Sequence, residues 1–121
     1  MKILIIDDES DIRRIARLAL SKVGKMDVVD ASNGQEGLEK AETEQPDVIL
    51  LDVMMPSMDG PSTLANLQNN PATNNIPVVF LTAKAMPSEL ERLRCLGVKG
   101  VLTKPFDPMI LATQIKDLLN K

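Results

Sequence analysis

The sequence of 121 residues contains no histidine, tryptophan or tyrosine, and its only cysteine is Cys95. Without histidine, the chain has no imidazole of its own to act as a base or as a phosphodonor. Aromatic residues make up 2% of the chain, so stacking platforms for nucleic-acid bases or for flavin are not expected. A single cysteine excludes an internal disulfide and fits a reducing compartment. We therefore expect a cytoplasmic protein.

Neither a nucleic-acid-binding surface nor a membrane segment is indicated. The formal net charge is -3, and Lys and Arg do not cluster, so direct nucleic-acid binding is not expected. No apolar run approaches the ~20 residues that cross a bilayer, and the apolar N-terminus is too short for a signal peptide. Apolar residues make up 44% of the chain. This composition and length predict one folded domain that spans residues 1–121.

The stretch from Pro46 to Pro56 predicts a buried strand that ends in a carboxylate. Residues 47–51 are almost all apolar and lead directly to Asp52. A short apolar run without alternation is typical of a strand that is buried on both faces, as in a parallel sheet. Asp52 therefore lies at the carboxyl end of the strand, which is where open α/β sheets place their chemistry.

The rest of the chain alternates between predicted strands and predicted helices. The strands are expected at 2–6, 26–30, 47–52, 77–81 and 100–103, and the helices at 10–23, 33–44, 60–69, 87–96 and 107–119. In the first helix the inward face is formed by Ile12, Ile15, Ala16 and Ala19, and Gly24 is expected to end it with a positive φ. Five βα units in succession predict a parallel sheet with helices on both faces.

Four predicted strands are followed by groups that are suited to chemistry. The first leads to Asp7 and Asp8, the third ends at Asp52, the fourth leads to Thr82 and the fifth to Lys104. The carboxyl ends of parallel strands share one edge of the sheet, so these side chains can converge. Clustered carboxylates repel one another, and Mg²⁺ is the hard cation that suits carboxylate and carbonyl oxygens. The sequence therefore predicts a magnesium site at this edge.

A carboxylate beside Mg²⁺, an ammonium group and a hydroxyl is equipped to accept a phosphoryl group. Asp52 would be the nucleophile, while Lys104 and the cation would offset the charge on the phosphoryl oxygens. Each acid taken alone could simply cap a helix or end a strand. That explanation is poor for four strand ends together, so we favour phosphoryl transfer.

With these motifs in view, the chain resembles the receiver domains of bacterial two-component response regulators. The resemblance rests on the acidic pair Asp7-Asp8, on Asp52 followed by Met54-Met55-Pro56 and Asp59-Gly60, on Thr82-Ala83, and on Lys104-Pro105-Phe106. It covers essentially the full length. It implies a flavodoxin-like fold with strand order 2-1-3-4-5, the order well known in the chemotaxis receiver, and a cis bond between Lys104 and Pro105.

The resemblance also implies roles and partners. Asp52 would be the phosphoacceptor, Asp8 a direct Mg²⁺ ligand, and Asp7 a ligand through water. The remaining roles would be the metal-binding carbonyl of Met54, the phosphoryl-binding hydroxyl of Thr82 and the pairing ammonium of Lys104. A histidine kinase or a histidine phosphotransfer protein would supply the phosphoryl group, and an output protein or domain would respond. The family's proteins are signalling modules, so we expect no enzyme and no membrane partner.

One position departs from the family pattern. Receivers usually carry Tyr or Phe three residues before the lysine of the Lys-Pro motif, and here that residue is Val101. We therefore expect the loop of residues 82–86, which includes Ala85, to carry the response to phosphorylation, and a shallow apolar notch to lie beside Val101. The last helix also lacks the charge pattern of receivers that dimerise through the fourth and fifth helices, so we expect a monomer or a weak dimer.

Three other functions share features with this sequence. A haloacid-dehalogenase-like phosphatase needs a second Asp two residues after the nucleophile, and this chain has Met54 there. A flavodoxin-type FMN carrier would place the flavin phosphate near Asp7-Asp8-Glu9, which would repel it. A pseudo-receiver that binds partners without phosphorylation remains an alternative because of Val101.

Overall fold

A parallel sheet of five strands forms the centre of the protein. The structure is a computed structural model, and it describes residues 1–84 and 86–121. The strands are β1 (Lys2–Ile6), β2 (Asp27–Ala31), β3 (Val48–Asp52), β4 (Val78–Thr82) and β5 (Gly100–Thr103). All pairings are parallel, and the order across the sheet is β2-β1-β3-β4-β5. The predicted fold class, an α/β flavodoxin-like (βα)5 sheet of order 2-1-3-4-5, is confirmed.

Helices cover both faces of this sheet. They are α1 (Ser10–Leu18), α2 (Gly34–Glu44), α3 (Gly60–Gln68), α4 (Pro87–Arg94) and α5 (Leu111–Leu119). One core cluster packs α1 and α5 against the sheet, and a second packs α2, α3 and α4 against the other face. Every residue of β3 and β4 is buried, as the uninterrupted apolar runs predict. Within the described ranges, no helix is long and apolar enough to cross a membrane.

The end of the first helix differs from the prediction. A π-helical segment, Ala19–Val23, follows α1, and Gly24 has φ of -82° whereas Lys25 has φ of 57°. Gly24 is instead required by close packing, because a Cβ atom there would lie 2.5 Å from the Cβ of Ala112. The prediction that Ile15 faces the core is also wrong, since Ile15 is 44% exposed at the edge of the buried stripe.

The last helix begins later than predicted. Residues 107–110 form a turn, in which the Asp107 carboxylate accepts a hydrogen bond from the backbone N–H of Met109 at 2.9 Å. The carbonyl of Asp107 accepts from the N–H groups of Ile110 and Leu111. This local turn uses the Asp side chain in the way that makes Asp favourable before helices, so α5 starts at Leu111.

Candidate functional site

The register of the sheet brings the predicted strand-end residues together. Ile6 pairs with Leu51, so Asp7 and Asp52 follow on adjacent strands. On the other side of β3, Asp52 pairs with Leu81, and Thr82 comes next. Thr82 in turn pairs with Thr103, and the N–H of Lys104 donates to the carbonyl of Thr82 at 2.8 Å.

The ammonium group of Lys104 lies at the centre of this site. Its Nζ atom is 3.3 Å from Asp52 Oδ1, 3.1 Å from Asp7 Oδ2 and 3.1 Å from Glu9 Oε1. The side chains of Asp7 and Asp52 are 1% and 3% exposed, so two of these ion pairs are shielded from water. A single cation among three carboxylates leaves the site with an excess of negative charge.

The carboxylates are arranged to hold a cation. Asp7, Asp8, Glu9 and Asp52 each offer an oxygen, and these oxygens lie within 4.8 Å of one another. Asp52 Oδ2 is buried and has no hydrogen-bond partner among the described residues, although buried polar atoms are normally satisfied. Asp7 Oδ2 is also buried and has only its ion pair with Lys104. Clustered, unsatisfied carboxylate oxygens are the ligands that Mg²⁺ prefers. The residues present therefore fit the magnesium ion that the sequence predicts.

The electrostatics of the site depend on this crowding. Burial, together with the negative charge of Asp7, raises the pKa of Asp52 to about 7, while Lys104 acts in the opposite direction. Burial also works to lower the pKa of Lys104, but the charges of Asp7 and Asp52 outweigh it, so the Lys104 pKa is raised. In the metal-free protein at neutral pH, Lys104 is thus charged, and both the protonated and the ionised form of Asp52 are populated.

The loop between β3 and α3 folds back over the end of β3. Gly60 donates its N–H to the carbonyl of Val53 at 2.8 Å, and a Cβ atom at Gly60 would lie 2.6 Å from the carbonyl oxygen of Asp52. Only glycine permits this approach. The N–H of Met54 lies 3.4 Å from Asp52 Oδ1, while the Met54 side chain is largely exposed. The predicted ligand Met54 therefore lies in the backbone segment that borders Asp52.

The hydroxyl of Thr82 is tied to the loop that follows it. Thr82 is buried, and its Oγ1 atom accepts a hydrogen bond from the N–H of Lys84 at 3.1 Å. A rotation of Thr82 would therefore remove a contact that orders the start of this loop. Ala85, which belongs to the predicted responsive loop, lies outside the described residues. The predicted cis bond between Lys104 and Pro105 is confirmed.

A groove is present beside Val101, as predicted, but its walls are more polar than predicted. Val101 is half-buried and packs against the second core cluster. The groove has a volume of about 410 Å³ and lies between α4, β5 and the start of α5. Alongside apolar side chains it is lined by Arg94, Thr103 and Asp107.

Two residues in contact with the site were not predicted. Glu9 pairs with Lys104, and its position directly after the acidic pair was a usable signal in the sequence. Arg13 donates from Nη1 to the backbone carbonyl of Asp7 at 2.8 Å. An arginine on the polar side of a helix gives no such signal in a sequence.

Comparisons with known proteins give a consistent result. A family model described as "Response regulator receiver domain" matches residues 3–116. The chain is 38% identical over 120 residues to "Alkaline phosphatase synthesis transcriptional regulatory protein PhoP" of Bacillus subtilis. This match covers 99% of this chain and 49% of that protein. It is 39% identical over 116 residues to "Protein PilG" of Pseudomonas aeruginosa, covering 96% of this chain and 85% of that one.

The fold is also that of solved structures. The chemotaxis response regulator CheY4 of Vibrio cholerae superimposes with a TM-score of 0.87 at 31% identity, and the match covers 97% of each chain. The chain spans about half the length of PhoP but most of the length of PilG.

Proposed function

This chain belongs to the receiver domains of two-component response regulators, and from this premise we propose that it accepts a phosphoryl group on Asp52 from a phosphohistidine donor. The observation that carries the proposal is the surroundings of Asp52. It is a buried carboxylate at the end of β3, 3.3 Å from Lys104 Nζ, with one oxygen that no described residue satisfies. Receiver domains are signalling modules, and we assign this chain, over residues 1–121, the same kind of role.

The acidic cluster would hold the Mg²⁺ ion that receiver domains bind. Asp8 and Asp52 would be direct ligands, Asp7 a ligand through water, and Met54 a ligand through its backbone carbonyl. When bound, Mg²⁺ offsets the negative charge that builds up on the phosphoryl oxygens during transfer. The cation would also favour the ionised form of Asp52, which is the form that attacks.

The transfer is a displacement at phosphorus. A carboxylate oxygen of Asp52 attacks the phosphorus atom of the phosphohistidine, the P–N bond breaks, and the imidazole nitrogen leaves with the electron pair of that bond. The product is an acyl phosphate on Asp52. Lys104, already within 3.3 Å of Asp52, would pair with a phosphoryl oxygen, and the Thr82 hydroxyl would donate a hydrogen bond to another.

The product would persist as a signal rather than turn over. Rapid hydrolysis by a phosphatase of the haloacid-dehalogenase type requires an acid and base two residues after the nucleophile, and here that position carries the thioether of Met54. A thioether neither donates nor accepts a proton near neutral pH. We therefore assign the chain to signalling and not to a turnover enzyme.

The response would pass from Thr82 to the face formed by α4, β5 and α5. When Thr82 turns to the phosphoryl group, its hydroxyl leaves the N–H of Lys84, to which it is bonded at 3.1 Å. The loop of residues 82–86 would then rearrange together with the start of α4. Val101 is too short to fill the space vacated, and its β-branch leaves it little rotamer freedom. The groove beside Val101 would thus stay open to an output partner.

An exposed apolar groove that starts on α1 is the surface of this chain that we assign to docking of the donor protein. Ile15, Leu18 and Val23 are 44%, 53% and 45% exposed. With Pro108 they line an apolar groove of about 320 Å³ between α1, the π-helical segment that follows it and the turn before α5. Contiguous exposed apolar side chains mark interaction surfaces. α1 begins directly after Glu9, and we propose this groove as the docking surface for a histidine kinase or a histidine phosphotransfer protein. The net charge of -3 offers no comparable support for direct nucleic-acid binding.

The proposal is tested by intact mass spectrometry after incubation with a small acyl phosphate. With Mg²⁺, the wild-type chain should gain one phosphoryl group, and Asp52→Asn should gain none. Chelation of Mg²⁺ should suppress the gain in the wild type. A wild-type chain that stays unmodified under all these conditions would favour the pseudo-receiver alternative, in which the same surfaces bind partners without phosphorylation.

A further inference from the structure

The backbone of the acidic turn is held by an arginine that is not part of the cluster. Arg13, on the second turn of α1, donates from Nη1 to the carbonyl oxygen of Asp7 at 2.8 Å. Its side chain is only 20% exposed. A charged, largely buried donor on a backbone carbonyl makes a stronger hydrogen bond than a neutral one.

Strand β2 holds both the backbone N–H of Asp7 and the side chain of Arg13. The N–H of Asp7 donates to the carbonyl of Ala31 at 3.1 Å, and the neighbouring Asp30 carboxylate lies 3.7 Å from Arg13 Nε. Arg17 pairs with the same carboxylate at 3.5 Å. The guanidinium group of Arg13 is therefore held in place between β2 and the end of β1.

Asp8 depends on this arrangement for its direction. It is exposed, and among residues 1–84 and 86–121 no hydrogen bond to its carboxylate is found. The orientation of the peptide between Asp7 and Asp8 influences the direction of the Asp8 carboxylate. Arg13 donates a hydrogen bond to the carbonyl of this peptide. The Asp7 side chain is fixed separately, since its Oδ1 atom accepts from the N–H of Glu9 at 2.9 Å.

We propose that Arg13 is a positioning residue for the metal site: it fixes the peptide between Asp7 and Asp8 so that the Asp8 carboxylate is aimed at the cation. This inference rests on the proposed function, because it assumes that Mg²⁺ binds the acidic cluster. Outer residues that orient metal ligands typically contribute 10–100-fold to metal affinity.

The sign of the effect separates positioning from simple electrostatics. The positive charge of Arg13 lies close to the cluster and by itself repels a divalent cation, so its removal would tighten Mg²⁺ binding if charge alone mattered. If Arg13 orients the turn, its removal weakens Mg²⁺ binding in spite of the charge change.

The experiment is a Mg²⁺ titration of the full chain, followed by the amide chemical shifts of residues 7–9. Arg13→Gln should bind Mg²⁺ roughly tenfold more weakly than the wild type. Arg14→Gln is the matched control, because it removes the same charge from the next residue of α1, which is 73% exposed and pairs with Asp11. Its affinity should stay within about twofold of the wild type, as expected for an exposed pair.

A second variant and a stability measurement guard against a general loss of structure. Arg13→Lys keeps the charge and a donor for the Asp7 carbonyl, but its single ammonium group cannot reproduce both the hydrogen bond to Asp7 and the ion pair with Asp30 through separate nitrogens. It should therefore recover part of the lost affinity. Urea unfolding should show that Arg13→Gln is fully folded under the titration conditions. Equal or tighter Mg²⁺ binding by folded Arg13→Gln, or no recovery in Arg13→Lys, would overturn the inference alone. Absence of Mg²⁺ binding by the wild type would overturn the proposed metal site as well.

Discussion

Asp52→Asn should stabilise the metal-free protein, although it removes the proposed phosphoacceptor. The substitution is nearly isosteric, and the amide oxygen can still accept from Lys104 Nζ and the Met54 N–H, which lie 3.3 Å and 3.4 Å from Asp52 Oδ1. What disappears is a buried negative charge next to Asp7. The Asp7 carboxylate then interacts with Lys104 without the nearby negative charge of Asp52.

The magnitude follows from the pKa of Asp52. Below its ordinary value of 3.8 the carboxyl is protonated in both the folded and the unfolded chain, so it does not destabilise the fold. Between 3.8 and about 7 the unfolded chain releases this proton while the folded chain retains it, so stability falls by about 1.4 kcal/mol for each pH unit. Above pH 7 the total loss reaches a ceiling of about 4 kcal/mol, which is a large share of the 5–15 kcal/mol that is typical of a domain.

The assay is urea unfolding in EDTA at pH 8 and pH 5, followed by far-UV circular dichroism because the chain has no Trp or Tyr. Asp52→Asn should exceed the wild type by up to about 4 kcal/mol at pH 8 and by about 1.5 kcal/mol at pH 5. Added Mg²⁺ should stabilise the wild type more than the variant and so narrow the gap.

A matched control removes a different carboxylate from the same region. Asp59 accepts a hydrogen bond from the N–H of Ser62 at 2.8 Å as the N-cap of α3, and Asn caps helices about as well as Asp. Asp59→Asn should therefore change the free energy of unfolding by less than about 0.5 kcal/mol at either pH. Equal stability of Asp52→Asn and the wild type at pH 8, or an advantage of Asp52→Asn that grows toward acid pH, would refute the reasoning.

Three further substitutions separate the parts of the site. Asp8→Ala should abolish Mg²⁺-dependent phosphorylation, measured by intact mass. Its far-UV spectrum should match that of the wild type because the Asp8 side chain is exposed. Phosphorylation of this variant to the wild-type extent would show that Asp8 is not a metal ligand. Thr82→Ala should still be phosphorylated on Asp52, but phosphorylation should cause much smaller changes in the amide chemical shift of Val101 than in the wild type. Changes as large as those of the wild type would show that the response does not pass through Thr82. Leu18→Ala should slow transfer from a histidine kinase that phosphorylates the wild type by about tenfold, since an exposed leucine buried on docking contributes roughly 1–2 kcal/mol, while the rate with a small acyl phosphate stays the same; equal slowing of both reactions would contradict a docking role.

The convergence of the site residues was predictable because it depends on topology. Apolar runs without alternation identify buried parallel strands, and such strands share one carboxyl edge. Asp7 follows a run of this kind, Asp52 ends another, and Lys104 follows the half-buried strand β5 on the same sheet. The structure places these three residues within ion-pairing distance. No knowledge of side-chain packing was needed for this step.

Features set by competition between local contacts were not predictable in this way. The start of α5 depends on whether the Asp107 side chain bonds the backbone N–H of Met109, which periodicity does not report. The positive φ that was expected at Gly24 occurs at Lys25, and Gly24 is required instead where Ala112 of α5 packs against it. Ile15 satisfies helical spacing but lies at the edge of the buried stripe.

The contact between Arg13 and Asp7 depends on tertiary packing alone. In the sequence, Arg13 is one of several basic residues on an amphipathic helix, and solvation is the usual expectation for such a side chain. Its role becomes visible only when β2 brings Asp30 beside it. A residue that acts by orienting another residue is identified from the structure, whereas residues that bind a ligand directly can often be identified from the sequence.

The most direct test of the account is to locate the phosphoryl group chemically. After incubation with a small acyl phosphate and Mg²⁺, the chain is treated with hydroxylamine, which converts an acyl phosphate to a hydroxamate and releases phosphate. Peptide fragmentation then identifies the modified residue. The account predicts a hydroxamate at Asp52 that depends on both the donor and Mg²⁺. A hydroxamate at Asp7, Asp8 or Asp59 with Asp52 unmodified would contradict it.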